Sequence, residues 1–255
     1  MSNPTLGIKT KTLWAIGFVA YFIFLLLMMP ATWMIHRIPS LSQHMSAVAG
    51  NLFEGQAQLR VQGRWADLWD HTQISWQFRP FYLLTGGLGF QLHLKNTALD
   101  TQGVAILGIR QLGMKHWDGF VDGSWLSRFL DQQKISFDHR LQLTQVSIWL
   151  NYRKPLMSSA SGQLTWPGGI AHYSMNEKMQ SVQFPALTGS FSHEKDQLQL
   201  AVTETRTQGS VVQFSVTADG WGSAMVFKRM LKLIGQLNQK AKGDELLFTF
   251  REKIF

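Results

Sequence analysis

From Thr12 to Ile35 the chain carries no charged side chain, and a helix over these positions would be about 36 Å long against a bilayer hydrocarbon core of about 30 Å. Phe18, Phe22, Phe24 and Leu26 fill its centre with apolar bulk. Trp14 and Trp33 stand near its ends, where amphipathic rings favour the headgroup layer. A cleavable signal peptide would have a shorter apolar core followed closely by small residues. Met29 and Ala31 make a poor site of that kind, and Ala47-Val48-Ala49 lies far beyond the apolar run. A retained single transmembrane helix over 12–35 is therefore expected. Lys9 and Lys11 precede it and Arg37 is the only Lys or Arg close behind it. The positive-inside rule then makes residues 1–11 a cytoplasmic tail and puts 36–255 on the other side of the membrane.

Beyond this helix the dominant pattern is strict alternation of apolar and polar side chains, which gives a half-buried strand one apolar face. The clearest runs are Leu59 to Gln62, Ile74 to Phe78, Phe90 to Leu94, Leu141 through Thr144 to Trp149, Leu198 to Leu200, Val212 to Val216 and Leu247 to Phe250. Glycines at 55, 63, 103, 162, 189 and 209 punctuate the strands and are expected in turns and bulges. Few helical patterns intervene, so the strands should pair antiparallel. Two peripheral helices are expected. Ser124 caps a short one carrying Trp125, Leu126, Phe129 and Leu130 at helical spacing. A longer one runs from about Ser223 to Lys240 with Val226, Met230, Leu233, Ile234 and Leu237 as its buried stripe. The resulting fold class is mainly β: one N-terminal transmembrane helix, then a curved antiparallel sheet domain with two peripheral helices.

The two halves of that domain echo each other. Gly50 to Gly55 resembles Gly162 to Gly168, and Thr101-Gln102-Gly103 recurs as Thr207-Gln208-Gly209. Duplicated sheet units over about 45–115 and 160–255 would account for this, as would chance likeness among glycine-turn-strand elements.

Little in the chain points to catalysis. There is no cysteine, hence no disulfide and no thiolate metal ligand. The eight histidines show no pair at zinc-ligand spacing. Asp138 and His139 are adjacent and would point to opposite faces of a strand. Ser192 to Lys195 fits a serine-x-x-lysine pattern but sits between two expected strands, without the other motifs of that chemistry. Gly86 to Gly89 lacks the lysine of a phosphate loop and is expected in a hairpin or bulge. The net charge of +8 is spread without any run of five basic residues, which favours a basic solvated surface over a nucleic-acid site. Of the ten tryptophans, Trp76, Trp149 and Trp166 lie in alternating runs, so they are core candidates first and a ligand platform second.

A short basic tail, a span ending in Met29-Pro30-Ala31-Thr32-Trp33, then Val48 to Ala57 and Ile74 to Pro80 together resemble the protein N family of the bacterial type II secretion system. The positions that carry the likeness are Gly50, Leu52, Phe53, Gly55, Trp76, Arg79, Pro80, Gly162 and Trp166; where that family often shows tryptophan, position 53 holds Phe. The resemblance implies a non-enzymatic inner-membrane component without a cofactor, whose large domain is periplasmic. It would support export of folded proteins from periplasm to exterior by contact with other inner-membrane and secretin components of that system. Membrane lipid would be met through the one helix, and nucleic acid not at all. From the residues alone, a glycine pair at 50 and 55 permits tight backbone geometry, Pro80 ends a strand, and Arg79 either binds a carboxylate or is solvated. A reading of a different class also follows from the pattern, since a curved sheet with one apolar face can shield acyl chains as a lipid-binding or lipid-transfer protein.

Overall fold

The computed structural model describes residues 10–253 apart from 62–68, 70, 124, 126–134, 153–156, 176–177, 195–196, 218, 234 and 236–242. Three helices open the chain: α1 (Thr10–Met28), α2 (Ala31–Arg37) and α3 (Pro39–His44). They lead into strands β1 (Met45–Gly50), β2 (Glu54–Leu59) and β3 (Gln73–Arg79). A 3-10 turn (Pro80–Thr85) joins β3 to β4 (Gly87–Lys95), followed by β5 (Leu99–Gly108), β6 (Gln111–Asp122), β7 (Ile135–Phe137), β8 (Arg140–Asn151) and β9 (Met157–Trp166). The remainder comprises β10 (Gly169–Met175), β11 (Lys178–Phe184), β12 (Leu187–Glu194), β13 (Gln197–Glu204), β14 (Ser210–Thr217), β15 (Trp221–Phe227), helix α4 (Arg229–Leu233) and β16 (Leu246–Lys253).

Thirteen strands form one antiparallel sheet in the order β1-β2-β3-β4-β5-β6-β8-β9-β12-β13-β14-β15-β16. It is a meander, because each strand pairs with the next except where β7, β10 and β11 leave to form a second sheet in the order β11-β10-β7. Paired residues share a face, so register shows what alternation achieves. Phe78, Phe90, Ala105, Met114, Ile148 and Ala160 make one apolar row across six strands. Leu164, Gly189, Val202, Val212, Val226 and Phe248 continue it to the far edge. The opposite face is largely amide and hydroxyl, with Gln73 donating to Gln56 at 2.7 Å, Gln213 to Gln199 at 3.1 Å, and Ser215 paired with Ser223 at 2.7 Å, except near one strand end where Ile106 and Trp149 lie on it.

Among the described residues a tight core forms where the second sheet meets the first. Trp166, Ala171 and Phe184 are buried there, with Leu141, Leu187, Met230 and Leu233 packed around them. Elsewhere among the described residues the apolar face is mostly half-buried. The chain exposes 17218 Å², against about 11,000 Å² for a compact monomer of this mass. Part of that excess is α1, which is solvated on every described side chain, and part is the single-layered sheet.

Several expectations need correction. The uninterrupted helix over 12–35 is broken, because Pro30 is extended (φ −61, ψ 135) and bridges to Asn51. Residues from Ala31 onward instead form α2, with Ala31 and Ile35 buried in the domain. Thr12–Met28 makes about 26 Å of uncharged helix, and among the described residues no helix is long and apolar enough to cross a membrane. The helix expected from Ser223 to Lys240 is β15 over its first part, since pairing with both β14 and β16 satisfies the backbone on both sides; α4 takes up Arg229–Leu233, and 234 and 236–240 lie outside the described residues. The helix expected after Ser124 lies largely outside the described residues, as does Gly63. The run from Leu59 is the end of β2, not the start of a strand.

The glycines divide: Gly103 sits at a bulge and Gly209 between strands, as expected, whereas Gly55 and Gly189 lie within regular pairing. The Cβ of an alanine would stand 2.5 Å from the Trp76 ring at Gly55, 2.4 Å from Trp117 at Gly103 and 2.4 Å from Trp149 at Gly113. Glycine is required there because a tryptophan from the neighbouring strand lies flat over the backbone. The echoed tripeptides thus occupy unlike places, Thr101 to Gly103 in mid-strand and Thr207 to Gly209 in a turn. Bulges line up across the middle of the sheet between Gln102 and Val104, Met114 and Trp117, and Thr144 and Ser147. His116 (φ 48) and Gln145 (φ 52) take left-handed backbone there. The Asp118 carboxylate holds the crease by accepting from the Gln145 backbone N–H at 2.7 Å and its Nε2 at 2.9 Å. Bulges raise local twist and bend strands, which gives the sheet its curvature.

Candidate functional site

Five of the nine motif positions meet at one corner, where the N-terminal helices join the sheet. β1 and β2 turn through Asn51, Leu52 and Phe53. Asn51 builds that turn, its Oδ1 accepting the backbone N–H groups of Phe53 and Glu54 at 2.8 Å each. Such side-chain-to-backbone bonds are why asparagine favours turns. Gly50 has φ +93, and a Cβ on it would lie 2.4 Å from the Glu54 carbonyl oxygen. Gly55, opposite Trp76 in the register, leaves room for the indole. Trp76 Nε1 then donates to the Asn51 carbonyl at 3.2 Å. The Phe53 ring meets Phe78 edge-on at 5.1 Å, and Phe78 tilts against Phe90 at 5.5 Å.

The helical segment is tied to this turn by its backbone. Leu52 N–H donates to the Met29 carbonyl at 3.3 Å, and Pro30 forms a bridge with Asn51. Of the remaining motif residues, Arg79 ends β3 exposed, with no carboxylate partner among the described residues, and Pro80 opens the 3-10 turn. Gly162 and Trp166 lie elsewhere. Gly162 (φ +120) sits inside β9 against the bulge at Val146, while Trp166 donates from Nε1 to the Asp138 carbonyl at 2.9 Å and packs on Phe184. Of the residues expected in an anchor, Trp14, Phe18, Phe22 and Phe24 are exposed along α1. Leu26 is on the same helix with its side chain outside the described ones, and Trp33 belongs to α2 under Arg37. Sequence reasoning missed Pro30, Asn51 and Phe78 as parts of the corner, although an asparagine between two glycines and a proline after an apolar run are recognisable turn and stop signals.

Nothing at this corner is arranged as acid, base or nucleophile. An ionic cluster lies on the polar face, where His93 Nε2 is 2.7 Å and Lys95 Nζ 3.8 Å from the two Asp100 carboxylate oxygens. Among the described residues no cluster of three His, Asp or Glu side chains could hold a metal ion. Ser192 lies within β12, a strand rather than the helix that its pattern would need.

The family model described as type II secretion system (T2SS), protein N matches residues 44–238. The chain belongs to the protein N family. No curated protein and no solved structure matches it. The protein N match begins at the corner, one residue before β1, and takes in the sheet as far as β15 and α4; α1, α2 and β16 lie outside it. Membership makes the chain a component of type II secretion.

Proposed function

We propose that this protein N family member is a non-enzymatic inner-membrane component of the secretion system, with α1 as its anchor and its sheet in the periplasm. It acts by holding partners among the inner-membrane and secretin components. The observation that carries this reading is the tie between Met29-Pro30 and the Asn51 turn, which fixes an apolar helix to the sheet without a free linker. The uncharged stretch Thr12–Met28 is close to the lower limit of roughly 17 residues for a span. Local thinning of the bilayer and extension of the Lys11 side chain towards the headgroups make up the difference. Tethering confines the sheet near its partners and raises their effective concentration.

The test replaces residues 10–28 of the full chain with an unrelated span of equal length, or with a cleavable signal peptide, and measures exoprotein release. Release should survive the first exchange and fall sharply with the second. Full release by the untethered chain would count decisively against the scaffold reading. A lipid-binding role is favoured by a different observation, the apolar sheet face left half-buried across the strands from β3 to β16. Phospholipid retained by the purified chain, and lost when Leu200 and Phe214 in the middle of that face are changed to Gln, would support that second role.

A further inference from the structure

The two ends of the strands are unlike. At the end where α1 leaves the sheet, three successive connections expose apolar side chains. The 3-10 turn after β3 carries Phe81 (80% exposed) and Leu84 (84%), the β5–β6 hairpin carries Ile109 (86%), and Tyr152 (57%) follows β8. At the other end, the described connections at Asn96-Thr97 between β4 and β5 and at Asp138-His139 before β8 are polar, while those before β3 and after β6 lie largely outside the described residues. Single exposed apolar residues are ordinary, but a group on adjacent hairpins marks an interaction surface. Its place next to the anchor narrows the partner. The Asn51 turn that holds Met29 is beside these tips, since Phe78 N–H donates to the Phe53 carbonyl at 2.6 Å one residue before β3 ends.

Chemistry behind the tips agrees. Between the 3-10 turn and the β5–β6 hairpin is a cleft lined by Tyr82, Ile106, Arg110, Lys115 and Trp149, with no carboxylate in its wall. Among the described residues neither Arg110 nor Lys115 has an ion-pair partner. Ile109 and Arg110 share the β5–β6 turn, while Trp149, opposite Gly113, and Lys115 stand further up the strands; apolar, aromatic and cationic groups occur together in this way at a bilayer interface, where long cationic side chains reach lipid phosphates. At the same end but far along the sheet, the β14–β15 turn is polar at Asp219-Gly220. A twist of roughly 20–25° per strand carries that turn out of the plane of the nearer tips.

We propose that these three connections form a second membrane contact, so that the sheet stands with its anchor end on the leaflet from which α1 emerges. Phe81, Leu84 and Ile109 enter the interface, and Arg110 and Lys115 bind the phosphates of anionic lipid. The inference rests on the anchoring reading of α1, and the experiment separates the two. The chain has no cysteine, so single cysteines can be labelled with an environment-sensitive fluorophore in the full chain in nanodiscs. Probes at Leu84→Cys and Ile109→Cys should be quenched by lipid carrying a headgroup nitroxide. A probe at Thr97→Cys, about 30 Å away along β4, should not respond. Unquenched probes at 84 and 109, or equal quenching at 97, would overturn the contact. A probe at Phe22→Cys, read against mid-chain nitroxide, reports the anchor. Quenching there with silent tips sinks the second contact alone, and quenched tips with a silent Phe22 probe sink the anchor alone. Arg110→Gln should lower the docked-to-undocked ratio about fivefold in anionic discs and leave zwitterionic ones unchanged; an equal ratio in both would refute the headgroup assignment.

Discussion

Gly113 lies opposite Trp149 in the pairing of β6 with β8, and all three atoms nearest its missing Cβ belong to the indole, at 2.4, 2.5 and 2.8 Å. Ordinary carbon contacts are about 3.5–4.0 Å, so Gly113→Ala forces the ring aside by about 1 Å. Overpacking of this kind costs about 1–3 kcal/mol. In a chain of this size 2 kcal/mol lowers the Tm by about 4–8 °C. Trp149→Ala alone should cost about 2 kcal/mol, roughly half the fully buried value because the ring is half-buried. In the double variant the alanine methyl occupies space that the indole vacated, so the two costs should not add. Thermal unfolding of the full chain in detergent, followed by near-UV circular dichroism, gives all four corners of the cycle. A coupling of about 1–3 kcal/mol is expected. Additivity within about 0.5 kcal/mol would refute the idea that the tryptophan is what demands glycine.

Two further predictions concern the faces and the core. Leu92→Asp, on the apolar face, should destabilise the chain by about 2–4 kcal/mol, whereas Gln77→Asp on the exposed polar face should stay within about 0.5 kcal/mol. His93→Asp is not an equivalent control despite sharing the Gln77 face, because it would set a second carboxylate against Asp100; urea midpoints for the three variants rank them, and equal losses at 77 and 92 would mean a wrong register. Trp166→Phe removes the donor to the Asp138 carbonyl and part of the ring packed on Phe184, and should cost about 1–3 kcal/mol by the same measurement; a neutral result would show that the bond is not formed in solution.

Alternation was the legible part of the sequence, and register explains why. Ile74 to Phe78, Phe90 to Leu94 and Val212 to Val216 each fall inside a strand, since a sheet covered on one face writes period two directly into the chain. Trp221–Phe227 was missed because Val226 fits both a helical stripe with Met230 and a strand face with Ala224. Local period cannot choose between them, and pairing with strands distant in sequence does. Gly55 was misread for a related reason. A glycine under a cross-strand tryptophan and a glycine in a turn look alike until register puts Gly55 opposite Trp76.

The corner shows the same limit and also what it implies for function. Composition from Thr12 to Ile35 is uniform, so charge alone could not locate the break, yet Pro30 has no N–H to continue the helix and its bridge to Asn51 fixes the chain extended. The break is what lets Ala31 and Ile35 pack into the domain rather than into lipid. A continuous helix would leave the sheet swinging on whatever followed it. Here Gly50, Asn51, Leu52, Phe53, Gly55 and Trp76 are engaged in one joint, and a force or tilt applied to α1 is delivered to β1, β2 and β3 without slack. On the proposed scaffold reading, the consequence is orientational: the joint fixes which face and which end of the sheet a neighbour at the membrane can reach.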